Sequence, residues 1–357
     1  MTSTKILQRP LFVLVLLLTI AACDRGGGPQ ESGSLPGSVQ KDEISFGIIA
    51  TESTVGLRRE FDPFLQDMSE SLGLPVKSYF ASDYAGVIEA MRFGKVDLGW
   101  FGNKSAIEAA DRAGGEVFAQ TVPASGQRGY WSTIIVHVDS PYQSIESLLK
   151  DADDLSFGNG DPHSTSGFLF PSYFLWRERG IDPRKTFKSV VNSNHETNAL
   201  SVVNRHVDFA TCSTEVLEQI QNERPDTFRK LRVIWKSPLI PADPFVWRKD
   251  LPVDLKQRIR KFIFDYGREG PDHERQLEVL AGISGGWAPF EPSSDDQLLP
   301  LREMILANKI EQLTREKGQQ AAGMKRLREQ LDEVRSRREQ LLESTDSVSE
   351  SAGTDRE

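Results

Sequence analysis

An α/β protein of two lobes that close on a cleft, with a helical extension at the C-terminus, is the fold the sequence predicts. Three observations predict it. Short β-branched or aromatic runs alternate with amphipathic helical stretches in two successive series. After the second series, near Lys236, the chain returns to the first. Beyond residue 300 the pattern changes to apolar residues at 3-4 spacing among charges.

The first elements are a leader and a spacer. Lys5 and Arg9 make a positive n-region, and Leu11 to Ala22 is an apolar run too short to span a bilayer as a stable helix. It ends Ile20-Ala21-Ala22-Cys23, similar to a bacterial lipobox, so residues 1–22 read as a signal peptide and Cys23 as the lipidated first residue of the mature chain. An ordinary signal peptide with a chance cysteine is the alternative. Asp24 directly after that cysteine points to retention at the inner membrane. Residues 23–42, rich in Gly, Ser and Pro, read as a flexible tether with a reach of ~25 Å.

The first series then opens. Strands are expected at Ile44 to Ile49, Pro75 to Ala81, Leu98 to Gly102 and Val117 to Val122. Helices are expected at Thr54 to Leu72, Asp83 to Phe93 (capped by Ser82 or Asp83) and Ser105 to Ala113. Strict alternation implies parallel βαβ units. Tyr130 to Val138 reads as a long strand. The second series runs through helix 144–149, a strand at Leu155, helix 168–179, strand 186–191, helix 196–205, strand 207–212, helix 215–221 and strand 231–235. From Pro252 the chain is helical through Tyr266, with a break near Gly270. Residues 43–136 and 237–300 therefore make one lobe and 137–236 the other. The cleft lies at the C-terminal ends of the strands, where open α/β sheets place ligands.

Residues 301–343 carry Met324, Leu327, Leu331, Val334 and Leu341 at 3-4 spacing, with Arg338 in the one apolar slot that fails. They read as helices that dock on their own body or on a second copy as a homodimer, or as a solvated helix. The tail 344–357 reads as disordered.

Composition bounds the function. The 357 residues suffice for two cores, and 38% hydrophobic with 27% charged residues describes a soluble globular protein. Net charge is −9, with basic clusters only on the C-terminal helix, which argues against nucleic-acid binding. Of two cysteines one is taken by the lipobox, leaving Cys212 a buried residue at a strand end. Five scattered histidines give no metal-ligand cluster, and no cofactor is implied.

The stretch that organises the rest is Phe157-Gly-Asn-Gly-Asp-Pro-His-Ser-Thr-Ser-Gly-Phe168. A strand leads into Gly158 and Gly160, then Ser164, Thr165 and Ser166 stand at a helix start with Gly167 behind them. The first N–H groups of a helix lack internal partners and its dipole is positive there, so added hydroxyls make an anion site. A simple N-cap is the alternative, but capping needs only one hydroxyl. No Gly-Lys-[Ser/Thr] ending makes this a P-loop, and no Gly-x-Gly-x-x-Gly follows a first strand. A triad of Ser164, His195 and Asp243 lacks a Gly-x-Ser-x-Gly elbow.

With Phe46-Gly-Ile-Ile-Ala-Thr-Glu-Ser53, Phe80-Ala-Ser-Asp-Tyr-Ala-Gly86, Gly129-Tyr-Trp131, the Ser-Thr-Ser loop, His195-Glu-Thr-Asn-Ala-Leu200 and Trp235-Lys-Ser-Pro-Leu-Ile-Pro-Ala-Asp-Pro244, the chain resembles the phosphonate-binding proteins (PhnD) of bacterial phosphonate ABC transporters. The resemblance runs from about residue 44 to near 340. The lipobox and tether depart from it, since the best-known members carry an ordinary cleaved signal. It implies a type II periplasmic-binding-protein clam that is not an enzyme, delivers organophosphonates to a membrane permease with its ATPase, and uses no metal or cofactor. It further implies that Ser164, Thr165, Ser166 and His195 hold the phosphonate oxygens beside Tyr84 and Tyr130. Glu215 and Asp243 match two carboxylates that hold the amine of 2-aminoethylphosphonate. A phosphite or phosphate receptor and a phosphonate hydrolase are the alternatives. Position alone would make Glu215 a helix-start carboxylate, Asp243 a turn residue, and His195 an exposed polar residue opening a helix.

Overall fold

The computed structural model describes residues 41–316 and 321–354; the expected signal peptide, the lipid site Cys23 and nearly all of the tether lie outside them. Local chemistry explains the first helix, Thr54–Leu72. The Ser53 side chain accepts from the Gly56 N–H at its start, and Gly73 ends it in the left-handed conformation. Leu57, Phe61, Phe64, Leu65 and Met68 are buried from one face. Pro63 lies within it, past the first turns. Asp83 rather than Ser82 caps the next helix, Tyr84–Arg92, accepting from Gly86 N–H.

The strands, in chain order, are β1 (Ile44–Ile48), β2 (Val76–Phe80), β3 (Leu98–Trp100), β4 (Gly115–Pro123), β5 (Gly129–Tyr130), β6 (Ser132–His137) and β7 (Ser156–Gly160). They continue with β8 (Ser189–Ser193), β9 (Phe209–Ser213), β10 (Leu231–Lys236), β11 (Ile240–Pro241), β12 (Pro244–Arg248) and β13 (Trp287–Pro292). The first lobe holds a six-stranded sheet in the order β13-β4-β12-β3-β1-β2, the second a five-stranded sheet, β10-β6-β9-β7-β8. A two-stranded ladder of β5 with β11 joins them at the crossover.

Parallel pairing holds for β2-β1-β3 and β8-β7-β9, as the alternation implies. Elsewhere it fails. β12 returns from the second lobe and enters between β3 and β4 running against both. β13, absent from the expected strands, adds antiparallel to β4. β6 pairs antiparallel with β9 and β10, so it belongs to the second sheet and the expected boundary at 136 moves back to the β5–β6 corner. The expected strand Tyr130 to Val138 is accordingly two strands in two sheets. None of these pairings is local, so periodicity could not report them.

The first core gathers Phe46, Phe61, Phe64, Trp100, Phe245, Trp287 and Phe290 in edge and stacked contacts. The second sheet buries Phe157, Trp176 and Phe209 on one face and Val202, Val216 and Cys212 on the other.

Two helices, Leu299–Glu316 and Ala321–Thr354, follow. The first sends Leu301 and Met304 into the first core. Arg177 of the second lobe reaches it, donating to Asn308 Oδ1 at 2.5 Å and pairing with Glu311. The second helix packs back on the first, with Arg335 and Arg338 both on Glu303. Arg338 thus fills its slot as an ion-pair partner, and of the docking choices the structure shows the chain's own body. The helix runs on to Thr354, across residues expected to be disordered; no Pro and no Gly before Gly353 interrupts it after Gly323, and propagation of a helix is easier than its nucleation.

Candidate ligand-binding site

Strand ends bring the site together. Residues just past β1, β3, β7 and β9 and on the crossover line a small cavity between the lobes. All eight non-covalent site residues of the sequence reading line it: Tyr84, Tyr130, Ser164, Thr165, Ser166, His195, Glu215 and Asp243. So do Thr51, Trp100, Ser213 and Ser284, which it missed. No Lys or Arg is among the lining residues.

At one end stands the Ser-Thr-Ser loop. The helix begins at Thr165, earlier than expected, and its first turns have the wider π hydrogen bonding that recurs at functional sites. Ser164 is the N-cap, its Oγ accepting from Gly167 N–H at 2.9 Å. Capping therefore takes one hydroxyl, and the other two have separate partners. Thr165 Oγ1 accepts from the Lys104 N–H of the first lobe at 2.9 Å, and Ser166 Oγ lies 3.2 Å from His195 Nε2. Two glycines permit the packing. A Cβ on Gly160 would meet the Gly167 backbone at 2.4 Å, and one on Gly167 would meet Ser164 Oγ at 2.9 Å.

His195 opens the helix His195–Val203, capped by Asn194, and is buried rather than exposed. Burial lowers its pKa to about 4, so the ring is neutral at pH 7. Its Nε2 faces Ser164 and Ser166 at 3.4 and 3.2 Å, while Nδ1 has no partner among the described residues. Asp243 bonds elsewhere, so no Ser-His-Asp relay is assembled.

At the other end are two acids. Asp243 accepts from Tyr130 OH at 2.8 Å and Asn103 Nδ2 at 3.3 Å, and Gln297 holds Asn103 in turn at 3.1 Å. Burial pushes the Asp243 pKa up to about 7. Burial, then the charge of Asp243, pushes Glu215 well above the carboxylate range. Burial, with nearby acids adding to it, keeps both Tyr84 and Tyr130 protonated and able to donate.

Ser284 completes the wall. It is a non-glycine residue at φ 46°, followed by Gly285 at 81° and Gly286 at 108°. A Ser-Gly-Gly run is a turn signal, but nothing local aims it at this cavity.

The fold and the enclosed interlobe site define a substrate-binding protein of the two-lobed, cleft-closing kind. Residues 46–298 match the family described as "ABC transporter, phosphonate, periplasmic substrate-binding protein". The phosphonates-binding periplasmic protein of Escherichia coli K12 is 50% identical over 279 residues, 78% of this chain and 80% of that one. The crystal structure of a binding component of a phosphonate ABC transporter from Pseudomonas aeruginosa superposes with a TM-score of 0.78 at 47% identity, covering 84% of this chain and 98% of that one. A Prochlorococcus marinus protein named as a probable ABC transporter phosphite binding protein is 26% identical over 244 residues, 62% of this chain and 81% of its own. The chain belongs to the periplasmic phosphonate-binding family of ABC transporters. Its homologues are substrate-binding transporter components rather than enzymes. Among the described residues no helix is long and apolar enough to cross a membrane.

Proposed function

We propose that this receptor captures a zwitterionic aminoalkylphosphonate, 2-aminoethylphosphonate foremost, and hands it to the permease of its transporter. The observation that carries the reading is the pair Glu215 and Asp243, a half-buried and a buried acid, both with raised pKa values, lining the same cavity as the hydroxyl loop. Burial holds both carboxyls toward their neutral forms, and an ammonium between them ionises them and gains charged hydrogen bonds that a purely anionic guest cannot make. Ser164, Thr165, Ser166, neutral His195 and the tyrosines serve the phosphonate as donors. A dianion held by neutral donors and a helix start needs no counter-cation. Closure of the lobes completes the grip, since Ser164–Ser166, His195 and Glu215 come from the second lobe and Tyr84 and Asp243 from the first.

Titration calorimetry of Glu215→Ala tests it. Each hydrogen bond to a charged group contributes about 1.5–3 kcal/mol, so 2-aminoethylphosphonate should weaken by roughly 10- to 100-fold. Methylphosphonate should change far less. Equal losses for the two ligands would remove the amine role. The phosphite name of the Prochlorococcus relative supplies the second reading, and phosphite or phosphate binding on equal terms with 2-aminoethylphosphonate would favour it. We infer from the lipobox that Cys23 anchors the receptor at the inner membrane; mass spectrometry of the membrane-extracted protein checks for the diacylated cysteine.

A further inference from the structure

Behind the acid end of the cavity lies a second buried polar cluster that no ligand contact uses. Glu52 follows β1, Glu60 stands in the first helix, and both are buried within the first lobe. Gln219 comes from the second lobe, on the helix Thr214–Glu223. Its amide donates to both Glu52 oxygens at 3.1 and 2.9 Å and to Glu60 Oε1. The other Glu60 oxygen accepts from Ser284 N–H at 3.1 Å, in the turn that lines the cavity. Gly285 of that turn leaves room for the Glu215 backbone, which a Cβ there would approach to 3.0 Å. Glu215 and Gln219 are four residues apart, so one helix face presents the first to the cavity and the second to the cluster.

We propose that Glu52, Glu60 and Gln219 form an interlobe clasp that stabilises the closed receptor and positions Ser284 and Glu215 on the ligand. Within the first lobe alone the two carboxyls face each other, and only closure adds the bridging amide. The clasp requires a shared proton, because two ionised carboxylates cannot be buried in contact. Burial, then the charge of Glu52, raises Glu60 to about 9, and burial raises Glu52 as well. The surrounding charges do not replace that proton. Glu196 and Glu223 face the cluster from the second lobe, and each is paired outward, with Arg224 and Arg59. On the helix His273–Ala281, which packs against the first helix, Arg275 pairs with Asp67, two turns from Glu60. These are positioning residues that touch no ligand. The proposal rests on the ligand-binding role of the cleft and not on which phosphonate fills it.

The test uses the whole chain with methylphosphonate and 2-aminoethylphosphonate as probes. Gln219→Met keeps the side-chain volume and removes the amide. It should weaken both ligands alike, by about 10-fold, while the melting temperature of the ligand-free protein stays at the wild-type value. Equal loss separates the clasp from the amine reading, which predicts unequal loss. Glu60→Gln retains a neutral donor toward Glu52, so it should bind within about 3-fold of wild type at pH 6. The proton that closure must retain makes wild-type affinity fall, relative to Glu60→Gln, as pH rises toward 9. Wild-type affinity in Gln219→Met, or a ligand-free protein destabilised as much as the ligand-bound one, overturns the proposal. So does a wild-type to Glu60→Gln affinity ratio that is flat from pH 6 to 9.

Discussion

At the hydroxyl end of the cavity each of the three hydroxyls has a settled partner: Ser164 caps its helix, Thr165 takes a backbone N–H from the opposite lobe, and Ser166 lies against His195. At the acid end burial pushes both Glu215 and Asp243 upward, and the charge of Asp243 adds to the rise at Glu215. One end presents hydroxyls already fixed in place, whereas the other holds two acids kept toward their neutral forms, which a cation would ionise. Preorganised donors give affinity to anything of the right shape and charge. Acids that only a cationic group ionises give selectivity. The two ends therefore divide affinity from choice, and substitutions at each should read out differently.

The sharpest break of this division is Glu215→Gln with Asp243→Asn in one chain. It should cost 2-aminoethylphosphonate at least about 100-fold and methylphosphonate little, by calorimetry. Ser166→Ala comes next and should weaken both ligands together, by about 10-fold or more. A ligand-selective effect of Ser166→Ala would erase the distinction between the ends. The third measurement compares proton release. An ammonium lowers the pKa of both acids, so near pH 6 binding of 2-aminoethylphosphonate should release more protons than methylphosphonate, seen as a larger buffer-dependence of the calorimetric heat. Tyr130→Phe is the smallest, about 3- to 10-fold on 2-aminoethylphosphonate, since it removes one neutral donor from Asp243.

The ends also carry opposite pH signs in the ligand-free protein. Asp243, raised to about 7 from its ordinary 3.8, contributes stability that is complete below about pH 4 and is lost as pH climbs to 7. His195, lowered to about 4 from 6.5, contributes stability that is present above 6.5 and is lost as pH falls to 4. Melting curves should show Asp243→Asn flattening the decline on the alkaline side and His195→Gln the decline on the acid side.

How far the sequence carried follows from the range of each interaction. The helix Thr54–Leu72 is legible to its ends because Ser53 and Gly73 are adjacent in the chain and act locally. The hydroxyl loop is legible for the same reason, with its glycines and hydroxyls inside one dozen residues. The acid end is not, because Glu215 and Asp243 look ordinary in their own neighbourhoods and only the resemblance singled them out. Ser284, the clasp and the insertion of β12 between β3 and β4 join residues far apart in sequence, and no window of periodicity contains both partners.

The tail helix Leu299–Glu316 has a mechanical consequence. It is rooted in the first core through Leu301 and Met304, yet Arg177 of the opposite lobe holds it through Asn308 and Glu311. A receptor that swings wide must first let go of that arginine. Parting the jaws that far therefore breaks two polar contacts that lie outside the cleft itself.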